Sequence, residues 1–316
     1  MNEKNDIEII DFTDVKEAVH RFLEFVDKHT NDWKITSSVT RPWFRGHAKE
    51  EYKLQPFVFR KNKKFEREYN EFWLCTSFRN MASNFGKVPE KREDIDKWLF
   101  LMQHVGLPTR LLDWTESPLT ALFFAFCELE ECKNPSIYMI HPGAFNYLAL
   151  KTWKKKNYTL MKNCSYDIAE MGEYVEEFSN TWVKNKPGLE NIRLAFKSVK
   201  DSNRVHNPTK YPLPVQVNHC HERISVQKSC FMVWGESKDD LETMLKENES
   251  VEKFIVKENG FIKKYIFNYH NNQKKYWEIY DYIRELGITY STIYPDLEGL
   301  AKELRDRYLL DNKVLN

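Results

Sequence analysis

Apolar positions along the chain change period several times, and each change marks an element. Val15, Ala18, Val19, Phe22, Leu23 and Val26 recur at helical spacing behind an Asp14/Glu17 capping-box pattern, which predicts a first helix over roughly 14–29. Trp43-Phe44-Arg45 follows Pro42 and reads as a short strand entering a turn at Gly46, and 53–60 reads as extended or irregular around Pro56. Phe65, Tyr69, Phe72 and Trp73 share one face of a helical segment that runs to about Met81. A second helical segment, Ile95 to Gln103, stops before Gly106. Leu111-Leu112-Asp113-Trp114-Thr115 then reads as a strand, and Ser117-Pro118 supplies the N-cap and first-turn proline of an apolar helix through Cys127.

Ile137–Ile140 reads as a buried strand closed by His141-Pro142-Gly143, and further strand patterns fall at Val215–Val217, Ile224–Gln227 and Cys230–Trp234. Lys253–Val256 and Tyr265–Phe267 are weaker strand patterns. Asn272 can cap a helix ending at Leu286-Gly287, and Pro295 opens a last helix toward Tyr308. Between them, 150–205 carries Lys151, Lys154, Lys155 and Lys156, lacks strong strand patterning, and reads as a mostly helical insertion. The order of elements predicts an α+β fold with a mixed or antiparallel sheet core and flanking helices, not regular βαβ alternation. The domain plan is an N-terminal helix within 1–35 and one domain over 36–316 that includes the insertion.

Charge narrows the classes of function. With 48 Lys and Arg against 47 Asp and Glu, the 316-residue chain has a formal charge of +1, which argues against a protein that coats nucleic acid or a membrane. The longest apolar run, Ala121 to Cys127, is too short to span a bilayer, and the polar N-terminus lacks a signal-peptide core. A cytoplasmic location with reduced cysteines is the expectation. Aromatic residues make up 15% of the chain against only 10 Gly, which favours stacking surfaces over Gly-rich phosphate loops. There is no Walker-type sequence. His219-Cys220-His221 with Cys230 lacks chelating spacing, so no metal is expected. Lys154-Lys155-Lys156 beside Trp153 and Tyr158 reads as a solvated helix face, with nucleic-acid contact as its alternative.

Three segments carry candidate chemistry. Arg45 sits in an aromatic strand, where a guanidinium needs a bidentate anion, either a protein carboxylate or a ligand phosphate. The run Gln103-His104-Val105-Gly106-Leu107-Pro108-Thr109-Arg110-Leu111-Leu112-Asp113-Trp114-Thr115 is the densest polar cluster. Strand alternation there puts Asp113 and Thr115 on one face, where Asp113 can either line a cleft or pair with Arg45 or Arg110. His104 follows a helix, where it can equally cap or pack. Arg223, Ser225 and Gln227 share one face if 224–227 is a strand, as either a solvated edge or part of a cleft.

Together these motifs resemble the FRG domain, named for its Phe-Arg-Gly motif. The resemblance rests on Trp43-Phe44-Arg45-Gly46-His47, on Tyr52-x-Leu54-x-Pro56 with Arg60, and on the Gln103 to Thr115 run followed by Pro118 and Ala121–Ala125. Arg223-Ile224-x-x-Gln227 with Phe231, and Tyr294-Pro295-Asp296-Leu297-x-Gly299-Leu300, resemble later motifs, so that the likeness runs over roughly 40–310 and least over 150–205. Ser229-Cys230 departs from the pattern where a Gly would precede Phe231. The family's members are mostly bacterial.

A more distant similarity is to ADP-ribosyltransferase cores of the Arg-Ser-Glu type, which implies NAD as substrate and an ADP-ribosyltransferase-like sheet. In that resemblance Arg45 clamps the NAD phosphates, Thr115 stands before the apolar helix, and the 222–227 segment supplies the third strand. The implied catalytic set is Arg45, His104, Asp113, Thr115 and Gln227, and the implied nucleotide contacts are Arg45, Arg110, Trp114 and Arg223. The expected Glu is met only by Glu222, at the segment's edge, so a site with Gln227 in its place either binds a nucleotide without turnover or uses Asp113 as the carboxylate. Two functions follow: transfer or hydrolysis of ADP-ribose, with a protein or nucleic acid as acceptor, or recognition of a nucleotide-like small molecule or a partner without turnover.

Overall fold

The computed structural model describes residues 6–33, 41–62, 64–86, 88–92, 94–128, 133–146, 148–149, 152–153, 192, 198–200, 204–206, 208–216, 222–246, 260–268 and 274–308. Seven strands form one mixed sheet in the order β1 (Ile7–Asp11), β9 (Ile262–Asn268), β4 (Ser136–Ile140), β2 (Trp43–His47), β3 (Leu111–Thr115), β8 (Ser229–Val233) and β7 (Leu213–Gln216). Only β1 and β9 run parallel. A separate pair joins β5 (Ser198–Lys200) to β6 (Arg204–His206). The α+β class and the mixed sheet are therefore as the sequence predicts.

Both faces of the sheet are covered, and the side-chain period of two sorts the strands between two cores. Phe44, Ile137 and Met139 face a core shared with α1 (Val15–Asp32), α4 (Pro118–Phe126) and α7 (Lys274–Glu285). Trp43, Tyr138 and Ile140 face the other core, with Leu112, Trp114, Met232 and Trp234. Strand β4, bonded on both edges and packed on both faces, has all five residues buried.

Local signals explain many boundaries. Asp14 caps α1 by accepting from the Glu17 amide at 2.9 Å, and Ser117 caps α4 by accepting from the Thr120 amide. Helix α3 (Ile95–His104) ends at Gly106, whose φ of +80° closes a Schellman motif: the Gly106 amide donates to Gln103 and the Leu107 amide to Met102. The last helix, α9 (Leu297–Arg307), is capped by Asp296, so Pro295 lies outside it.

The structure corrects four expectations. Gly46 is inside β2, not in a turn; a Cβ there would stand 2.0 Å from the Ala121 carbonyl oxygen and 2.6 Å from the Ala125 nitrogen, so glycine is what lets α4 lie against the strand. The Phe65–Met81 segment becomes helical only at α2 (Glu71–Met81), capped by Asn70, and Phe65, Phe72 and Trp73 are exposed. Residues Glu222–Val226 form a short helix, α5, not a strand. Strand β8 already has β3 and β7 on its two edges, and Lys228 at φ 46° turns the chain from α5 into β8. Strand β1, whose short alternation carries no turn signal, was not foreseen from the sequence. Of the 150–205 stretch, the β5 and β6 residues up to 205 are strand; most of the rest, with Lys154-Lys155-Lys156, lies outside the described residues, as do Lys253–Val256, His219-Cys220-His221 and Asn272.

Candidate functional site

The sheet opens between β2 and β3. Strand β2 pairs along its whole length with β4, and β3 along its whole length with β8, but β2 and β3 meet only at Phe44 and Thr115. Beyond that pair the main chain of β3 has no strand partner on the β2 side, and the Arg45 guanidinium takes its place. Nη1 of Arg45 donates to the Asp113 carbonyl at 2.6 Å and lies 4.0 Å from the Asp113 carboxylate. Nε donates to Nε2 of His47 at 3.0 Å. No partner among the described residues takes Nη2.

The Asp113 side chain is held from α3. Gln103 donates its amide to Asp113 Oδ2 at 2.8 Å, Thr109 donates its hydroxyl to Gln103 Oε1, and the Thr109 hydroxyl accepts from the Leu111 amide at 3.1 Å. The loop set up by Gly106 therefore does chemical work: it returns the chain so that Thr109 bridges the end of α3 to the start of β3. Asp113 is the one exposed residue of β3, and Arg45 is less than one-fifth exposed.

Positive charge gathers around His47. Arg60 donates Nε and Nη2 to the Gln55 carbonyl at 2.9 and 2.6 Å, and Lys264, brought beside Tyr138 by the β4–β9 register, donates to the Glu50 carbonyl at 2.6 Å. Burial, then the charges of Arg45, Arg60 and Lys264, hold the His47 pKa well below its ordinary value. The Tyr52 main chain offsets part of this without reaching hydrogen-bonding geometry at Nδ1. Burial lowers Arg45 to about 10 despite Asp113, so it stays a cation at neutral pH. Burial also lowers Arg60 and Lys264. Tyr138 donates to Glu242 at 2.7 Å, and Glu242 also accepts from the Leu54 amide, which fixes the wall behind His47.

The other sequence candidates go elsewhere. Arg110 forms a forked pair with Glu71, with Nε at 2.8 Å from Oε1 and Nη2 on Oε2, and its Nη1 donates to the carbonyls of Trp234 and Gly235. Thr115 is buried; its hydroxyl donates to the Gln227 carbonyl at 2.7 Å and accepts from the Ser117 amide at 3.0 Å. The Gln227 side chain donates to the Ile293 carbonyl at 3.0 Å and accepts from Ser229. Trp114 is in the core, with its Nε1 unpartnered among the described residues. Arg223 lies over the Tyr294 ring at 4.3 Å, and Asp113 acts electrostatically on the Tyr294 hydroxyl. His104 is exposed in the last turn of α3.

The structure thus brings Arg45 and Asp113 together and adds His47, Gln103, Arg60 and Lys264. His47 was readable from its spacing, since residues two apart on a strand share a face. Lys264 had no local signal, because only strand pairing brings it near. Among the described residues no cluster of His, Cys, Asp and Glu could hold a metal, and no helix is long and apolar enough to cross a membrane.

No curated protein and no solved structure matches the chain. The family match ends at residue 134, so the segments around Arg223 and Tyr294 lie outside it. Residues 40–134, which include β2, α2, α3, β3 and α4 and with them Arg45, Gln103 and Asp113, match the family model of the FRG domain, and the chain therefore carries an FRG domain.

Proposed function

We propose that the opening between β2 and β3 binds a nucleotide-like anion, with NAD and ADP-ribose compounds as the ligand class. The observation that carries this reading is Arg45: a largely buried guanidinium, fixed through Nε and Nη1, with no protein partner at Nη2 among the described residues. A guanidinium held this way presents a rigid, charged donor edge suited to a phosphate. Arg60, whose charge acts on both Arg45 and Asp113, adds a second cation there.

A second reading, transfer or hydrolysis of ADP-ribose, is favoured by one feature. Asp113 presents a carboxylate at the same opening, oriented by Gln103 at 2.8 Å. In this reaction the nicotinamide–ribose bond breaks, nicotinamide leaves with the bonding pair, and the carboxylate steadies the oxocarbenium-like centre. Water or an acceptor group of a protein or nucleic acid then bonds to the anomeric carbon and gives up a proton. Thr115 and Gln227 do not enter this reading, because their side chains join β3 to α4 and α5 to the segment at Ile293.

Calorimetry with NAD, ADP-ribose, ADP and inorganic phosphate tests both readings. Saturable binding by the wild-type protein, weakened about 100-fold or more in Arg45→Ala, is the expected result. Failure of all four compounds to bind the wild-type protein overturns the recognition site. Mass spectrometry of NAD incubated with the protein and a cell lysate separates the readings: nicotinamide release or labelled acceptors establish turnover, and intact NAD leaves recognition alone.

A further inference from the structure

We infer that His47 is a positioning residue for Arg45, and that it serves because it is a neutral acceptor: it fixes the guanidinium without cancelling the charge that a phosphate would meet. The inference rests on the Arg45 reading above and names a second residue on which that site depends.

The geometry leaves His47 one protonation arrangement. Arg45 Nε is 3.0 Å from His47 Nε2, and an arginine Nε carries hydrogen at all relevant pH, so Nε2 must supply a lone pair. The ring is then neutral with its hydrogen on Nδ1, which is buried without a hydrogen-bond partner among the described residues. The other tautomer would set two N–H groups against each other, and the imidazolium would add a further cation to Arg45, Arg60 and Lys264. The ring is held from two sides, edge-on to Tyr138 at 5.4 Å and to Tyr52 at 6.1 Å, and only 5% of the residue is exposed.

What this arrangement does is clearest against its alternative. A carboxylate at the position of Nε2 would accept the same hydrogen bond and would also neutralise Arg45, as Glu71 neutralises Arg110. An imidazole accepts the bond and leaves the cation whole. With Nε on His47 and Nη1 on the Asp113 carbonyl, the plane of the guanidinium is fixed at two points, and the amino group Nη2 is the part left for a ligand.

Three substitutions separate neutrality, acceptance and folding. His47→Gln keeps a neutral acceptor, His47→Glu keeps the acceptor but adds a negative charge, and His47→Phe keeps a ring without an acceptor. With ADP-ribose and inorganic pyrophosphate as probes, His47→Gln is expected to bind within about threefold of wild type, and His47→Glu about 30-fold more weakly although it folds as stably. His47→Phe is expected to bind about 10-fold more weakly. Proton–nitrogen NMR gives a readout that needs no ligand: the Arg45 Nε–H signal is protected from exchange in wild type and His47→Gln, and lost to exchange in His47→Phe. If wild type binds the probes and Arg45→Ala does not, but His47→Glu binds as wild type does, the inference about His47 falls and the Arg45 site stands. If wild type binds neither probe, the Arg45 site falls and the His47 role with it. If the Nε–H signal is unprotected in wild type, the hydrogen bond to His47 is absent and the inference is overturned whatever the affinities. Should His47→Phe fail to fold, the contrast between His47→Gln and His47→Glu decides.

Discussion

Arg45 and Arg110 enter the same part of the molecule, one from β2 and the other just before β3, and they end in opposite electrostatic states. Arg110 meets Glu71 in a forked pair, caps two carbonyls with Nη1 and lies against the Phe59 ring. Arg45 meets a neutral imidazole, a carbonyl and a carboxylate 4.0 Å away, with Arg60 close enough to oppose it. Each arginine is mostly shielded from water, yet only Arg110 has its charge answered by the protein at contact distance. The difference comes from what faces them: α2 delivers Glu71 to Arg110, whereas the opened β2–β3 edge offers Arg45 main chain and histidine.

The largest expected effect falls on the answered arginine. Arg110→Ala strands Glu71, which is itself less than one-fifth exposed, and removing one partner of such a pair costs about 3 kcal/mol or more. Arg45→Ala leaves no stranded carboxylate, because Asp113 is exposed and keeps Gln103, and it relieves the opposition from Arg60, so the expected loss is about 1 kcal/mol. Urea unfolding of the two variants checks this. Equal losses would break the comparison, and a larger loss in Arg45→Ala would make Arg45 the structural residue of the two.

Acid sharpens the comparison next, because His47 stands on the Arg45 side alone. Burial is the main cause that lowers His47 well below its ordinary pKa, and likewise lowers His29, bonded to the Tyr265 hydroxyl at 2.8 Å, to about 4. In the unfolded chain both rings take up a proton near pH 6.5, so below that pH the unfolded state binds more protons. The stability these neutral rings contribute is thus complete above about pH 6.5 and declines as pH falls, for His29 until about pH 4. The expected loss is roughly 3 kcal/mol for the two rings together between about pH 6.5 and 5, and His47→Gln should remove about half of that slope. Denaturation midpoints measured across this range decide it; an unchanged slope in His47→Gln would show that the ring is protonated in the folded protein.

How much of this was legible in the sequence depended on whether the signal was local. Ser117-Pro118, Asp14 with Glu17, and Gly106 each fix a helix end by one hydrogen bond or one backbone angle, and the elements they bound were readable. The pairing of Arg45 with Asp113 was among the alternatives readable from strand alternation. Arg223, Ser225 and Gln227 misled because a spacing of two residues carries no information once the segment is helical, and only the filled edges of β8 decide that it is. Gly46 misled for the related reason that a glycine needed for a close approach looks like a glycine needed for a turn. Arg45 and Arg110 were indistinguishable in the sequence, because their difference lies in Glu71 and His47 as neighbours in space.

The smallest effect concerns the polar groups that hold the end of the opening. Thr115 is the last residue of β3 and forms the one β2–β3 register pair, with Phe44, so the opening begins where Thr115 ends it. Its buried hydroxyl bonds to the Gln227 carbonyl and receives the Ser117 amide, and Gln227 in turn donates to the Ile293 carbonyl. Thr115→Val keeps the shape and removes one hydroxyl, leaving the Ser117 amide without that acceptor, for an expected loss of about 1 kcal/mol. Because neither side chain reaches Arg45 or Asp113, ADP-ribose affinity should change by less than about threefold. Calorimetry and urea unfolding of the same variant test the division: a loss of affinity much beyond the loss of stability would move Thr115 from the frame of the opening to its lining, and would bring Gln227 with it.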